Sequence, residues 1–380
     1  METVKLAIST WASEELEAID KVIKSNKFTM GEQVALFEKR FSSYIGTKYS
    51  VMVNSGSSAN LLMIASLVLS GRIRAGDEII VPAVSWSTTY SPLQQYGLKA
   101  KFVDIDLETL NIDLTKIRSA ITSKTKAIFA VNLLGNPAHL DEIKNICKEK
   151  DLIMLEDNCE SLGAELNEKK AGSFGLMGTH SFFFSHHIST MEGGMISTDD
   201  EIIFEILKSI RAHGWTRNLS NKNILSKKNP DEFYEMFNFI LPGYNLRPLE
   251  MSGAIGVEQL KKLDNFVKIR QINAQHFKEI LLDKKWILTQ KENGSSSWFG
   301  FSLINKSELS AIEFRTKVKS LGFEIRPIVT GNFVRNEVIK FFDYDVHENL
   351  ANADYLHENG LFIGNNSVDI RKNLDNLTKL

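Results

Sequence analysis

The chain has 380 residues, 43% of them hydrophobic and 24% charged, with a formal net charge of −2. A length beyond the roughly 250–300 residues at which a single core stops growing predicts two domains. The charge balance gives no electrostatic basis for nucleic acid or an anionic membrane as partner, no run approaches the roughly 18 apolar residues of a membrane span, and the two cysteines, Cys147 and Cys159, exclude a disulfide framework and any iron–sulfur cluster that needs four protein thiolates.

The opening residues carry no signal-peptide pattern, so a cytoplasmic protein is expected. Apolar positions at helical spacing predict helices over 13–25 and 31–44. A strand over 49–53 leads through a turn at 54–58 into a helix over 59–69. Strands at 78–81 and 101–104, a helix at 114–120, a strand at 127–131, a helix at 139–149 and a strand at 152–155 follow. Strands alternating with helices, several of them continuously apolar, predict an α/β fold with a mostly parallel sheet covered on both faces. A β-prone run into Ser181, a strand over 195–198 and a helix over about 200–210 continue the series. Residues 218–232 are polar and aperiodic and read as a mobile surface loop. A long helix runs from Pro248 to about Leu282. The remainder reads as a smaller α+β domain: a strand near 298–303, a helix over 308–320, a strand at 323–326 and a helix near 333–341. The expected domains are thus 1–250 and 251–380.

Residues 54–60 (Asn-Ser-Gly-Ser-Ser-Ala-Asn) join a strand to a helix N-terminus, where unpaired N–H groups and the helix dipole favour an anion. Gly56 lets an anion approach the backbone and Ser57 adds a hydroxyl. A phosphate fits, and so does a plain capping turn. Neither Gly-x-Gly-x-x-Gly nor Gly-x-x-x-x-Gly-Lys-Ser/Thr is present, so dinucleotide or nucleoside-triphosphate binding of those types has no support. Trp86 follows the next strand, at the end where α/β sheets bind ligands; it stacks on a flat ring or packs in the core. Asp157 closes a strongly apolar strand, and a buried carboxylate there needs a partner. A protonated ring nitrogen, a helix cap and a metal are the options, and the metal is disfavoured because no compact set of His and carboxylate ligands lies nearby. Residues 181–194 (Ser-Phe-Phe-Phe-Ser-His-His-Ile-Ser-Thr-Met-Glu-Gly-Gly) put two imidazoles, His186 and His187, where a strand ends. They suit proton transfer near neutral pH, or they only cap the strand. Asn245 and Arg247, just before the long helix, are caps or ligands. A phosphate cradle, a stacking aromatic, an acid for a ring nitrogen and a proton-transfer residue are together what pyridoxal phosphate chemistry requires: the pyridinium is an electron sink only while protonated, and a carboxylate keeps it so.

Along nearly its whole length the chain resembles the nucleotide-sugar aminotransferases, of the aspartate aminotransferase fold (PLP-dependent transferase fold type I). The resemblance rests on Ser55-Gly56-Ser57, Trp86, Glu156-Asp157, Ser181-Phe182, Glu192-Gly193-Gly194 and Gly243-Tyr244-Asn245. It implies a large domain with a mixed, mostly parallel sheet, a smaller α+β C-terminal domain, and a cofactor held by Gly56, Ser57, Trp86, Asp157, Glu160, Ser181 and Asn245. By similarity Asp157 pairs with the ring nitrogen, and Glu160 stands beside the phenolic oxygen where the family usually has Gln. Ser181 binds the phosphate, and Asn245 reaches the phosphate of a neighbouring subunit, which implies a homodimer with shared active sites. Five residues after Ser181 the family carries the lysine that attaches to the cofactor; here the residue is His186. A lysine holds the aldehyde and shuttles the proton at the cofactor's C4′ carbon, whereas a histidine does only the second. Lys169 and Lys170 fall earlier, in a predicted hairpin. His187 should point elsewhere if the segment is extended.

The replacement resembles a branch of the family that dehydrates sugars at C3. It implies pyridoxal and pyridoxamine 5′-phosphate bound non-covalently, without a metal, and loss of the C3 hydroxyl from a GDP-linked 4-keto-6-deoxy sugar with L-glutamate as amino donor. His213, Trp215, Arg217 and Arg326 are candidates for substrate contacts or ordinary surface residues. Two other readings compete: a nucleotide-sugar 4-aminotransferase of the perosamine synthase type, opposed by His186, and a non-catalytic cofactor-binding regulator, opposed by the intact set of cofactor ligands.

Overall fold

The computed structural model describes residues 3–380; Met1 and Glu2, where the expected large domain begins, lie outside the described residues. Helices α1 (Ser13–Ser25) and α2 (Glu32–Ile45) lead into strand β1 (Tyr49–Val53) and helix α3 (Gly56–Leu69). Then follow β2 (Glu78–Pro82), α4 (Ser87–Gln95), β3 (Lys99–Val103), α5 (Leu114–Ala120), β4 (Thr125–Val131), α6 (Leu140–Lys150) and β5 (Ile153–Asp157). A hairpin of β6 (Glu165–Leu166) and β7 (Lys169–Lys170) precedes β8 (Met177–Ser181), β9 (Gly194–Thr198), α7 (Glu201–Ile210), the short α8 (Glu232–Glu235) and the long α9 (Glu250–Leu281). The rest comprises β10 (Ile287–Leu288), β11 (Gly300–Asn305), α10 (Ala311–Ser320), β12 (Ile325–Arg326), β13 (Tyr344–Val346), α11 (Ala351–Asn359), β14 (Gly360–Gly364) and α12 (Arg371–Leu374), with short 3-10 turns between.

Eight strands form one sheet in the order β1-β9-β8-β5-β4-β2-β3-β13. Only β9 runs against its neighbours, and all the other pairings are parallel. Alternation along the strands feeds two layers of core. Val51, Val53, Ile79, Val81, Phe102, Phe129 and Leu155 face α3 and α7. Ile80, Val103, Ile128 and Met154 face α5 and α6, while Met52 and Met195 face α2 and the first half of α9. Helix α3 is apolar nearly all round because it lies between the sheet and outer helices, so it shows no amphipathic period. A second sheet, β10-β11-β14-β12, packs on the later half of α9, α10 and α12 and also takes in Val4.

The mixed, mostly parallel α/β sheet agrees with the expectation, and four differences have local causes. Helix α3 starts at Gly56 rather than 59, because the Ser55 hydroxyl caps it by accepting the Ser58 N–H at 3.0 Å. Helix α4, not expected from its hydroxyl-rich sequence and internal Pro92, forms on the buried Tyr90 and Leu93. The predicted helix near 333–341 is two 3-10 turns, at Phe333–Arg335 and Glu337–Phe341. Strand β13 returns to the edge of the large sheet, where Lys101 pairs with Asp345 at 3.4 Å and Glu78 at 3.7 Å. Close by, the buried Asp104 accepts the Asn352 and Ala353 N–H groups at the start of α11. We propose a division near residue 250, with β13 as a C-terminal segment that rejoins the first unit.

Strand β8 packs tightly on the loop before it. A Cβ on Gly178 would lie 2.0 Å from the Gly172 carbonyl oxygen. Gly178→Ala should therefore cost about 1–3 kcal/mol or more by overpacking, read as a lower midpoint in thermal or urea unfolding.

Candidate active site

The parallel strands end at one edge of the sheet, and a cavity of about 610 Å³ lies beyond them. Ser55, Gly56 and Ser57 enter it from the β1–α3 junction, Trp86 from the end of β2, Asn132 and Leu133 from β4, Asp157, Cys159 and Glu160 from β5, and Ser181, Ser185 and His186 from β8. The smaller unit closes the far side with Phe299, Arg326, Pro327, Val329 and Phe362.

The cradle at the start of α3 exists because two glycines let neighbouring chain segments approach closely. A Cβ on Gly56 would sit 2.7 Å from the Ser181 Cβ and 3.1 Å from the Cys159 sulfur, and a Cβ on Gly194 would sit 2.3 Å from the Ser55 carbonyl oxygen. The free N–H groups of the first turn of α3 therefore meet the hydroxyls of Ser57 and Ser181 in one small space, a donor set suited to a phosphate. Trp86 precedes α4 and is 57% exposed, so its ring covers one side of the cavity and is not packed in the core.

Strand alternation separates the two acids of β5. Glu156 turns away from the cavity and accepts the N–H groups of Gly172, Phe174 and Gly175 at 2.7, 2.6 and 2.8 Å, so it caps the 172–175 turn. Burial pushes its carboxyl up, against those three hydrogen bonds. Asp157, on the cavity side, accepts Asn60 Nδ2 and Thr89 Oγ1 at 2.8 Å and the Cys159 N–H at 3.1 Å. Three donors leave one of a carboxylate's roughly four acceptor positions free, which suits a protonated ring nitrogen. Glu160 accepts the Leu134 N–H at 3.0 Å. Burial, with some help from the Asp157 charge, pushes it from its ordinary 4.5 to about 7, although the Leu134 hydrogen bond acts the other way.

The segment after β8 is a turn, not an extended strand, closed by the His186 N–H donating to the Phe183 carbonyl at 2.9 Å. His186 lines the cavity with its Nδ1 3.5 Å from Ser185 Oγ and its ring edge-on to Phe299, 5.3 Å between centroids. Burial, aided by the Arg270 charge, holds its imidazole down to about 4, so it is neutral at physiological pH. The extended segment on which the expectation for His187 rested is absent; His187 is fully buried, and its Nε2–H donates to the Ser297 carbonyl at 3.1 Å. No lysine lines the cavity among the described residues. Lys169 and Lys170 lie over the rings of Phe174 and Tyr44 in the β6–β7 hairpin.

The structure thus gathers Gly56, Ser57, Trp86, Asp157, Glu160, Ser181, His186 and Arg326 around one cavity. His213, Arg217 and Asn245 do not line it. They cluster on a separate arm, where Ala212 bridges to Asn245, the His213 ring lies 4.8 Å from Trp215, and Arg217 stands over the same indole. Sequence reading did not single out Asn60 and Thr89, which hold Asp157, or the turn at Leu133–Gly135, which brings Phe299 to the site. Asn60 falls on the same helical face as Gly56, i and i+4, which was a usable signal. Phe299 comes from the other unit and left none.

The DegT/DnrJ/EryC1/StrS aminotransferase family matches residues 10–365, and the chain belongs to that family. It is 59% identical to a GDP-4-keto-6-deoxy-D-mannose 3-dehydratase of Yersinia pseudotuberculosis, over 98% of this chain and 96% of that one. A solved Escherichia coli GDP-4-keto-6-deoxy-D-mannose 3-dehydratase with bound hydrated PLP superposes with a TM-score of 0.98 at 56% identity, covering 100% of this chain and 99% of the other. A GDP-4-keto-6-deoxymannose 3-dehydratase with a trapped PLP–glutamate geminal diamine gives a TM-score of 0.97 at 56% identity, covering 99% of each chain.

The raised Glu160 carboxyl makes a prediction for the protein without cofactor. Below about pH 4.5 the group is protonated in folded and unfolded chains alike; as pH rises toward 7 the unfolded chain ionises first, and the folded state loses stability. Glu160→Gln removes that loss, so its melting temperature relative to the parent chain should rise with pH across this window. An unchanged difference across the window would show that Glu160 ionises normally.

Proposed function

We propose that the chain is a hydro-lyase that uses pyridoxal and pyridoxamine 5′-phosphate, bound non-covalently. It removes the C3 hydroxyl of GDP-4-keto-6-deoxy-D-mannose with L-glutamate as amino donor, giving GDP-4-keto-3,6-dideoxy-D-mannose, ammonia and 2-oxoglutarate. The step belongs to cytoplasmic GDP-colitose biosynthesis for the O-antigen of lipopolysaccharide. The observation that carries the reading is an imidazole, and no lysine among the described residues, in a cavity with a phosphate cradle at one end and a carboxylate for a ring nitrogen at the other.

Bound pyridoxamine phosphate supplies the amine that condenses with the sugar's C4 ketone and the electron sink that takes up charge from C4′. The protein's residues hold it and move protons. The start of α3, with Ser57 and Ser181, binds the phosphate; Trp86 covers a ring face; Asp157 keeps the ring nitrogen protonated. Glu160, its carboxyl pushed up to about 7 by burial, shares a proton with the phenolic oxygen as a Gln shares its N–H. His186, neutral before reaction, takes the proton at C4′, and the imidazolium so formed delivers it to the departing C3 oxygen, which leaves as water. Without a lysine no side-chain amine competes for the aldehyde, and the imidazolium spends its proton on the departing C3 oxygen, so elimination is the easier exit.

The remaining assignments belong to the same proposal. Arg326, at the cavity mouth and paired with Glu324 at 2.8 Å, meets the glutamate carboxylate or the substrate diphosphate. His213, Arg217 and Asn245 serve the neighbouring subunit of a homodimer; that none of them lines this chain's own cavity supports the reading.

His186→Asn should lower glutamate-dependent pyridoxamine formation and sugar dehydration by about 10²–10⁴-fold, the range for a lost general base, while dialysed protein still binds the cofactor by absorbance. Dehydration at the parent rate would remove His186 from the mechanism. His187→Gln should keep most of the activity and lose about 1 kcal/mol of stability with its hydrogen bond to Ser297, measured by denaturant unfolding.

A further inference from the structure

One buried cation has no carboxylate partner. Arg270, on α9, is 4% exposed and forms no ion pair among the described residues. Its guanidinium donates only to carbonyl groups, those of Trp298 at 3.4 Å, Phe299 at 3.1 Å and Asn365. Asn365 Nδ2 closes the knot by donating to the Arg270 carbonyl at 3.0 Å and the Trp298 carbonyl at 2.9 Å. Isolated buried charge is costly, so a carbonyl cage of this kind fixes whatever backbone supplies it.

That backbone is the strap Ser297–Phe299, and its other edge touches the catalytic turn. The Ser297 and Phe299 N–H groups donate to the carbonyls of Gly135 and Leu134 at 2.9 and 3.0 Å. Gly135 has φ +95°, and a Cβ there would meet the Trp298 nitrogen at 2.3 Å. Trp298 itself is held at φ +49°, a conformation that an indole-bearing residue adopts only under constraint. From this strap Ser297 accepts the hydrogen bond of His187, and the Phe299 ring packs against both imidazoles, 5.3 Å from His186 and 5.8 Å from His187.

We infer that Arg270 is a positioning residue for His186: it clamps the Ser297–Phe299 strap so that the Phe299 ring fixes the imidazole edge toward the reacting atoms. This rests on His186 being the base proposed above. The cation has a second effect in the same direction as burial, since a fixed positive charge opposes protonation of a nearby imidazole. The other groups around His186 are His187 on the same turn, Asp157 and Glu160 at the end of β5, Glu192 before β9 and Arg326 on β12, all but His187 lining the same cavity. A lysine does not reproduce the clamp, because its ammonium ends one bond short of the Nη1 that reaches all three carbonyls.

The titration of His186 is followed by ring-carbon NMR in the full chain without cofactor, assigned with His186→Gln, and the glutamate half-reaction is measured on the cofactor-loaded enzyme. In Arg270→Met, the pH at which His186 protonates should rise by about half a unit or more, and the acid limb of the glutamate half-reaction should move with it. Arg270→Lys keeps the charge, so its titration should stay near that of the parent while the half-reaction slows about tenfold or more, the scale of a misplaced catalytic group. Phe299→Leu should slow it likewise, which keeps the inference testable if Arg270→Met fails to fold. A parent-like titration in folded Arg270→Met, or parent-like rates in both Arg270→Lys and Phe299→Leu, overturns the role of Arg270. Full activity in His186→Asn would instead overturn the assignment of the base.

Discussion

The site depends on a close approach of chain segments at one edge of the sheet that two glycines permit. Gly56 stands against Ser181, and Gly194 against the Ser55 carbonyl, at separations that no side chain larger than hydrogen permits. That contact draws the N-terminus of α3 onto the end of β8, so unpaired amides and two hydroxyls meet where a phosphate can sit. It also fixes where the turn after β8 must begin, five residues before His186. The rest of the cavity is arranged around this anchor by parallel strands that stop at the same edge.

Desolvation then gives chemically similar side chains different roles. Of three acids within five residues, Glu156 caps a turn through three backbone amides, Asp157 is held by a side-chain network with an acceptor position to spare, and Glu160 is lifted to about 7. Of two adjacent histidines, one is spent on a backbone carbonyl and the other lines the cavity with its imidazole held neutral by burial. A family of aminotransferases normally supplies an amine at this point. Replacing it by an imidazole removes the covalent tether and keeps the proton shuttle, which is the chemical difference between transferring an amino group and expelling a hydroxyl.

The two units meet over this site and share backbone as well as side chains. The strap at Ser297–Phe299 is bonded to the turn at Leu134–Gly135, whose Leu134 N–H also supports Glu160. Strand β13 and the caps supplied by Asp104 bind the C-terminal part to the far edge of the large sheet. The smaller unit is therefore a structural wall of the cavity and the source of the aromatic ring against His186.

Much of this was legible in the sequence because it is local. Continuous apolar strands and amphipathic helices marked the alternating elements from 13 to 282, and strand-end motifs marked the cradle, Trp86, Asp157 and His186, since a turn's residues and a strand's last side chain are neighbours in the chain. The start of α3, helix α4 and the return of β13 were not, because a capping hydroxyl, burial of Tyr90 and pairing with β3 override local propensity. The sequence by itself determined which groups are present and, through the missing lysine, which chemistry is open to them. Only the tertiary structure decided which of two histidines and which of three acids face the cavity. It also placed Arg270, some 84 residues after His186, against the strap that carries Phe299, since burial and long-range contact have no period in the sequence to betray them.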